Sequence, residues 1–425
     1  MKMNSKAQTS FPRLIAGISI ANFGYILGAI VPIALLLTIK LAMLDPENVT
    51  KNFSIVSIIS ALVGIVGLYL AGYISDRTSW KFGRRRSWIL IGALTGGGAL
   101  YLVGAAQSVV MGCITFALAK LLLSFIMSSV YGLIPDQVDE SKRGTASGII
   151  GIISPLGIML GINVMLIFNS WSIEFKFLLL GLIVIVSAII SCILVKEEQV
   201  IYQKEKSTSQ SLTFGQKLST IYPSPRKYPN YTFGLLTRFF MAIGYATSTY
   251  TSVYYLERFG VSQENLTHYV SMSMNITIPL LAIFSILGGF LSDKVGRQKP
   301  FIYSSALVTA IGIVAYGLAP SIAFSYAAAA IISMGFGMFL AVDIALMTRV
   351  LPNREDAGKD MGIVNIANDI GAPFANSIAS PLVSAGGYPL FFGVLSIFAI
   401  LAGAVVKPIP ELKAKDTDDD LLIAK

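Results

Sequence analysis

The chain has 425 residues, of which 54% are hydrophobic and 13% charged, and its formal net charge is +9. Soluble domains carry about 25% charged residues, so this composition excludes an ordinary soluble protein. Two cysteines and one histidine leave no disulfide framework and no metal-ligand cluster, and no cofactor is expected.

The apolar residues fall into runs long enough to cross a bilayer, which takes ~20 residues of helix. In chain order the spans are predicted over about 14–39, 53–74, 88–106, 109–133, 145–169, 175–195, 232–256, 268–291, 300–319, 323–350, 360–383 and 388–406. The N-terminus is short and has no small-residue cleavage site, so no removable signal peptide is expected. Cys113 and Cys192 lie inside spans and read as small packing residues.

Between the second and third spans, the stretch from Gly72 to Trp88 holds one acid, Asp76, and five bases: Arg77, Lys81, Arg84, Arg85 and Arg86. A short loop this basic is retained in the cytoplasm. Alternation from it puts 26 of the 32 Lys and Arg on the inner side, four outside (Lys40, Lys51, Lys176, Arg258) and two within spans. This is a positive-inside distribution rather than a basic groove, so nucleic acid is not an expected partner. Both termini are predicted to be cytoplasmic. Residues 196–231 hold six bases, three acids and Pro223, Pro225 and Pro229, and read as a cytoplasmic linker. The expected organisation is 1–195, the linker 196–231, 232–406, and a charged cytoplasmic tail 407–425.

The basic loop has a shorter echo in Gly289-Phe-Leu-Ser-Asp-Lys-Val-Gly-Arg-Gln-Lys-Pro-Phe-Ile302. Asp76 and Asp293 are 217 positions apart, as are Pro135 and Pro352. Gly148-Ile-Ile-Gly-Ile-Ile-Ser-Pro-Leu-Gly aligns with Gly362-Ile-Val-Asn-Ile-Ala-Asn-Asp-Ile-Gly at a spacing of 214. Two copies of one unit in a single apolar chain are a signature of transporter folds.

Gly-x-x-x-Asp-Arg…Gly-Arg-Arg after the second span, repeated after the eighth, resembles the loop signature of the major facilitator superfamily. The extra residues before Gly83-Arg84 and the ending Gly-Arg-Arg-Arg-Ser-Trp look most like two of its sugar-transporting branches. These are the glycoside–pentoside–hexuronide:cation symporters and the sucrose–proton symporters. Leu133-Ile-Pro-Asp-Gln-Val…Arg143-Gly-Thr-Ala-Ser-Gly148 carries the same likeness.

The resemblance implies an all-α polytopic membrane protein of twelve helices in two pseudo-symmetric six-helix bundles. It implies a monomeric plasma-membrane carrier, not an enzyme, that moves a small polar solute by alternating access. A sugar or glycoside is the leading solute, with membrane lipid and a coupled proton as the other partners. It also implies a gating role for Asp76, Arg77, Gly83 and Arg84, with Asp293, Gly296 and Arg297 as the second copy. Efflux of drugs or metabolites through the same fold is the alternative, as is transport of an organic anion or sugar acid.

Ionisable groups inside spans are costly and are functional candidates by default. Lys120 is about eleven residues from the outer end of its span, or roughly 16 Å deep, and Asp369 about nine from the inner end, or roughly 14 Å. They are expected to pair near the midplane. Asp343 lies nearer the inner end of its span, about nine residues before Pro352. Arg238 is only about seven residues into its span, within snorkelling reach of the interface.

Helical spacing groups Lys120 with Ser124, Ser128 and Tyr131, and Asp369 with Asn365 and Asn376, Asn368 being adjacent. Arg238, Tyr245, Thr249 and Ser252 form a third stripe, and Asn22 and Tyr25 a smaller one. In the superfamily the spans bearing these stripes line or flank the central cavity. Asn163 and Asn275 read as interhelix hydrogen-bond glue, and His268 as an interfacial residue. The second span has no acid, and Lys120 stands where the sugar branches use an acid, so their sodium site does not carry over. A proton acceptor would be Asp369 or Asp343. An anionic solute would instead meet Lys120 and Arg238.

Overall fold

The computed structural model of the protein describes residues 9–139, 142–197, 225–352 and 357–410. All their regular structure is helical, and ten helices are long and apolar enough to cross a membrane. The first is α1 (Phe11–Ala29), which continues through a π-helical turn (Pro32–Leu36) into α2 (Leu37–Leu44). A 3₁₀ turn (Pro46–Asn48) then leads into α3 (Val49–Arg77), and α4 (Arg84–Gly104), α5 (Val109–Gln137), α6 (Arg143–Ile167) and α7 (Ile173–Leu194) follow. Then come α8 (Pro229–Tyr245), α9 (Thr251–Arg258), α10 (Gln263–Val295), α11 (Lys299–Gly317), α12 (Ile322–Arg349) and α13 (Ala357–Val405).

The starts are written in the sequence. Ser108, Ser172 and Ser321 cap α5, α7 and α12 by accepting from the amides of Met111, Phe175 and Phe324 at 3.2, 3.3 and 3.3 Å. Proline stands in the first turn of α1, α8 and α11, where no amide is needed. The spans expected over 360–383 and 388–406 run together as α13, broken where a break between them was expected, and one further span departs from a simple rod. Gly386 and Gly387 are non-helical and divide α13 into two arms, Gly387 at φ +69°. The span expected over 232–256 is broken: α8 ends at Tyr245, and a 3₁₀ segment over Ala246–Tyr250 precedes α9. The run Ala-Thr-Ser-Thr-Tyr-Thr causes this. Thr247, Ser248 and Thr251 each donate to the carbonyl three residues back, at 2.8, 3.0 and 3.0 Å, which tightens the helix.

The chain divides into two compact units, residues 1–205 with 255–272 and residues 206–254 with 273–425. In the first, α5 packs on α3 and α4, α4 on α7, and α1 on α5, α6 and α7. The α4–α7 approach rests on glycine: a Cβ on Gly181 would meet the Gly97 carbonyl oxygen at 2.5 Å. Residues 255–272 are tied to this unit by polar contacts. Glu257 accepts from the Thr50 amide at 2.9 Å and its hydroxyl at 2.6 Å, covering the start of α3. Asn169 donates to the Glu264 carbonyl at 2.7 Å, and Ser271 to Asn163 Oδ1 at 2.9 Å.

In the second unit α8 packs along α13, and α11 against α12 and α13. Met241, Phe336, Phe339, Val342 and Leu346 form one buried cluster. Around the broken helix, Tyr254, Tyr316, Tyr388 and Phe392 pack ring on ring, and the Tyr254 hydroxyl donates to the Tyr316 carbonyl at 2.7 Å.

Candidate functional site

Arg238 on α8 and Asp343 on α12 meet in an ion pair, Nη1 to Oδ2 at 2.8 Å. The Arg238 side chain is 11% exposed and that of Asp343 1%. This corrects the expectation that Arg238 snorkels to the interface. An unpaired carboxylate at this burial would be far costlier than an arginine turned inward to meet it. The pair is half-satisfied, because Asp343 Oδ1 and Arg238 Nε are buried with no hydrogen-bond partner among the described residues. Seven residues along each helix, in opposite directions, Tyr245 stacks on Phe336 with centroids 3.6 Å apart and planes 5° apart. Seven residues of helix rise about 10 Å. One antiparallel seam thus carries a charge pair and, two turns on, an aromatic stack that leads to the break at Ala246.

In the first unit Lys120 is 8% exposed. Its stem lies against Gly64 of α3, where a Cβ would stand 3.5 Å from Lys120 Cε. Ser124 donates to the carbonyls of Lys120 and Gly64 at 2.7 and 3.2 Å. Asn22 of α1 is fully buried, and neither its Oδ1 nor its Nδ2 has a partner among the described residues. Tyr25, one turn on, is half-buried. In the second unit Asp369 is exposed and accepts from Asn368 at 3.4 Å, while Asn376 is buried. The side chain of Asn365 falls outside the described residues. Lys120 belongs to the first unit and Asp369 to the second.

The basic loop folds into a compact charge network. Asp76 pairs with Arg85 at 2.6 Å, and Asp136 takes Arg85 at 2.9 Å and Arg84 at 2.7 Å. Arg85 also donates to Ser75 Oγ at 3.0 Å. The guanidinium fits because residue 132 of α5 is glycine; a Cβ there would stand 2.5 Å from Arg85 Cζ. Arg77 lies over the Tyr73 ring of the same helix at 3.4 Å and donates to the Tyr73 carbonyl at 3.2 Å.

Glu197, in the segment expected as linker, completes the network. Its carboxylate accepts from the amides of Arg85 and Arg86 at 2.9 and 3.0 Å, capping a helix whose own N-cap residue, Gly83, has no side chain. Gly83 stands at φ +103°, and a Cβ there would collide with the Glu197 carboxylate. Burial pushes the Glu197 carboxyl above its ordinary value, against the pull of the two amides.

The second copy is built differently. Gly296 again has positive φ, +69°, and Ser292 is buried like Ser75. Asp293 and Arg297 are exposed, and no ion pair joins either to another described residue. Gln298 is buried instead and accepts from Arg349 Nη1 at 2.9 Å.

A sequence profile described as Major Facilitator Superfamily matches residues 13–281 and 268–420. The chain belongs to the Major Facilitator Superfamily. It is thus a multi-pass helical membrane protein. The crystal structure of a D-xylose-proton symporter superposes with a TM-score of 0.69 at 17% identity, over 94% of this chain and 98% of that one. A general alpha-glucoside permease of Schizosaccharomyces pombe is 30% identical over 128 residues. That match spans 25% of this chain and 23% of the permease, less than a quarter of the relative's length.

Proposed function

We propose that this member of the superfamily is a proton-driven carrier that takes a sugar or glycoside across the plasma membrane by alternating access. The observation that carries the coupling is the half-satisfied Arg238–Asp343 pair. A buried ion pair adds little stability for its desolvation cost, and in a membrane span it marks an ion or substrate path by default. A proton on Asp343 removes the charge that holds Arg238. The guanidinium is then free to turn along the α8–α12 seam, and the 3₁₀ break next to Tyr245 gives α8 a joint to move on. Discontinuous helices are where such carriers bind solute. The D-xylose-proton symporter and the alpha-glucoside permease that this chain resembles both carry sugars by name, which favours a sugar as the solute.

In this reading the ten long helices become twelve spans when α13 counts as two and α8 with α9 as one. The bundles are 1–195 and 232–406, the linker 196–231 and both termini are cytoplasmic, and the monomer sits in lipid. Asn22, Tyr25, Lys120 and Ser124 would face the solute from the first bundle, and Tyr245, Asn365, Asn368 and Asp369 from the second. Asp76, Arg77, Gly83, Arg84, Asp293, Gly296 and Arg297 would gate the inner side. The organic-anion alternative needs Lys120 and Arg238 together, and Arg238 is already engaged by Asp343.

The test is accumulation of a panel of labelled mono- and disaccharides by proteoliposomes under an inward proton gradient. At least one sugar should accumulate, and dissipating the gradient should abolish it. Failure of every sugar, with sugar acids accumulating instead, would replace this reading by the anion one.

A further inference from the structure

A helix ends without intrahelical donors for its last carbonyls, and at the end of α7 neighbouring segments supply them. Arg86 of α4 donates to the Cys192 carbonyl at 2.6 Å, and Arg13 of α1 to that of Ile193 at 2.8 Å. The α1 helix lies close here because residue 17 is glycine; a Cβ there would stand 2.6 Å from Val195 Cγ2. Val195, the C-cap of α7, is extended at φ −81° and ψ 124°, so the chain runs out of the helix through Lys196 to Glu197. Lys196 is fastened at both backbone groups. Its amide donates to the Thr9 hydroxyl at 2.8 Å. Its carbonyl accepts from Thr9 Oγ1 at 3.0 Å and from Nε2 of Gln137, the last residue of α5, at 3.0 Å. Thr9 Oγ1 also lies 3.1 Å from Gln137 Oε1, so its single proton is shared between two acceptors. Thr9 is 6% exposed and directly precedes Ser10, the N-cap of α1. One buried hydroxyl thus joins the start of α1 to the ends of α5 and α7.

The residue after Lys196 is Glu197, whose carboxylate covers the amides of Arg85 and Arg86. A glutamate side chain is flexible, and holding it over two amides costs less entropy when its backbone is already fixed. We infer that Thr9 is the positioning residue of Glu197: by clamping the backbone of Lys196 it sets the carboxylate over the start of α4. Among the described residues no hydrogen bond joins Thr9 to α4, so its influence there is indirect. The side chain of Arg85 bridges Asp76 and Asp136 while its amide is held by Glu197. The segment that precedes the first span therefore bears on the charge network of the basic loop.

The experiment is amide hydrogen exchange on peptides covering residues 84–90, with the full-length protein in lipid nanodiscs. Glu197→Ala sets the ceiling, faster exchange by about fivefold, the worth of a helix N-cap. Thr9→Val keeps the shape and removes the hydroxyl, and should speed exchange there by about threefold, most of that ceiling. Thr9→Ser keeps the hydroxyl and should stay close to wild type. In the Glu197→Ala background Thr9→Val should add almost nothing, because the group it positions is gone. Arg13→Gln also loosens α1 from α7 but leaves Lys196 held, and should not change exchange at 84–90. Wild-type exchange in Thr9→Val overturns the inference. So does an effect of Thr9→Val that is undiminished in the Glu197→Ala background, or an equal effect of Arg13→Gln, since either would make Thr9 a general tie of α1. Should Thr9→Val not yield folded protein, Thr9→Ala enters the same cycle and is judged by the same outcomes. The inference leans on the carrier reading only for its meaning in transport. Exchange needs no solute, so wild-type protein that moves no sugar would sink that reading and leave this result standing.

Discussion

Replacing one member of the Arg238–Asp343 pair should be far worse than replacing both. Asp343→Leu strands an arginine whose side chain is 11% exposed, and Arg238→Met strands a carboxylate that is 1% exposed. Breaking a buried pair on one side costs about 3–5 kcal/mol, whereas exchanging the pair for apolar residues of similar volume is often neutral or stabilising. The double variant Arg238→Met with Asp343→Leu should therefore lie within about 1 kcal/mol of wild type. Each single variant should lose most of the folded yield. The stranded group cannot recover by solvation, because Asp343 Oδ1 and Arg238 Nε already lack partners. The assay is a double-mutant cycle on the folded fraction of purified protein, followed by denaturant titration in detergent. All four proteins should be well folded only at two corners, wild type and double. If the single losses simply add in the double, the two charges do not hold each other and the reasoning fails.

Other consequences are smaller. Glu197→Ala uncovers the amides of Arg85 and Arg86 and should cost about 1 kcal/mol, the worth of a helix N-cap, with faster amide exchange at the start of α4. Because burial raises the Glu197 carboxyl, Glu197 contributes stability that is present at low pH and is lost as pH rises through the raised value. Glu197→Gln should flatten that slope relative to wild type. Arg85→Gln should impair solute exchange strongly, since Arg85 bridges Asp76 and Asp136 among the described residues; an unchanged rate would return the gating role to charge alone. For Lys120 and Asp369, we expect non-additive loss of transport in a double-mutant cycle, and strict additivity would remove that pairing.

Sequence reasoning reached the helical membrane class and the family because each is a pattern of composition or spacing. It reached Arg238 and Asp343 singly and missed their union. That union needs the relative depth and phase of two helices 105 positions apart. A signal existed: each residue lies a similar number of positions from the same end of its span. The partner of Asp76 is not legible in the sequence because five neighbouring bases are alike. Which one turns inward is set by the φ of Gly83 and by the vacancy at Gly132. Glu197 gave no warning, since an acid just past a span end ordinarily faces water. The break after Tyr245 was legible in principle, because a run of Ser and Thr inside an apolar span competes with the helix for its own carbonyls.

The most direct test of proton coupling through Asp343 is to add the transported sugar to proteoliposomes loaded with a pH-sensitive dye, with no gradient imposed. Wild-type protein should acidify the lumen as sugar enters. Asp343→Asn should exchange labelled for unlabelled sugar across the membrane at a comparable rate while moving no protons. Proton uptake that persists in Asp343→Asn at the wild-type ratio to sugar would contradict the account.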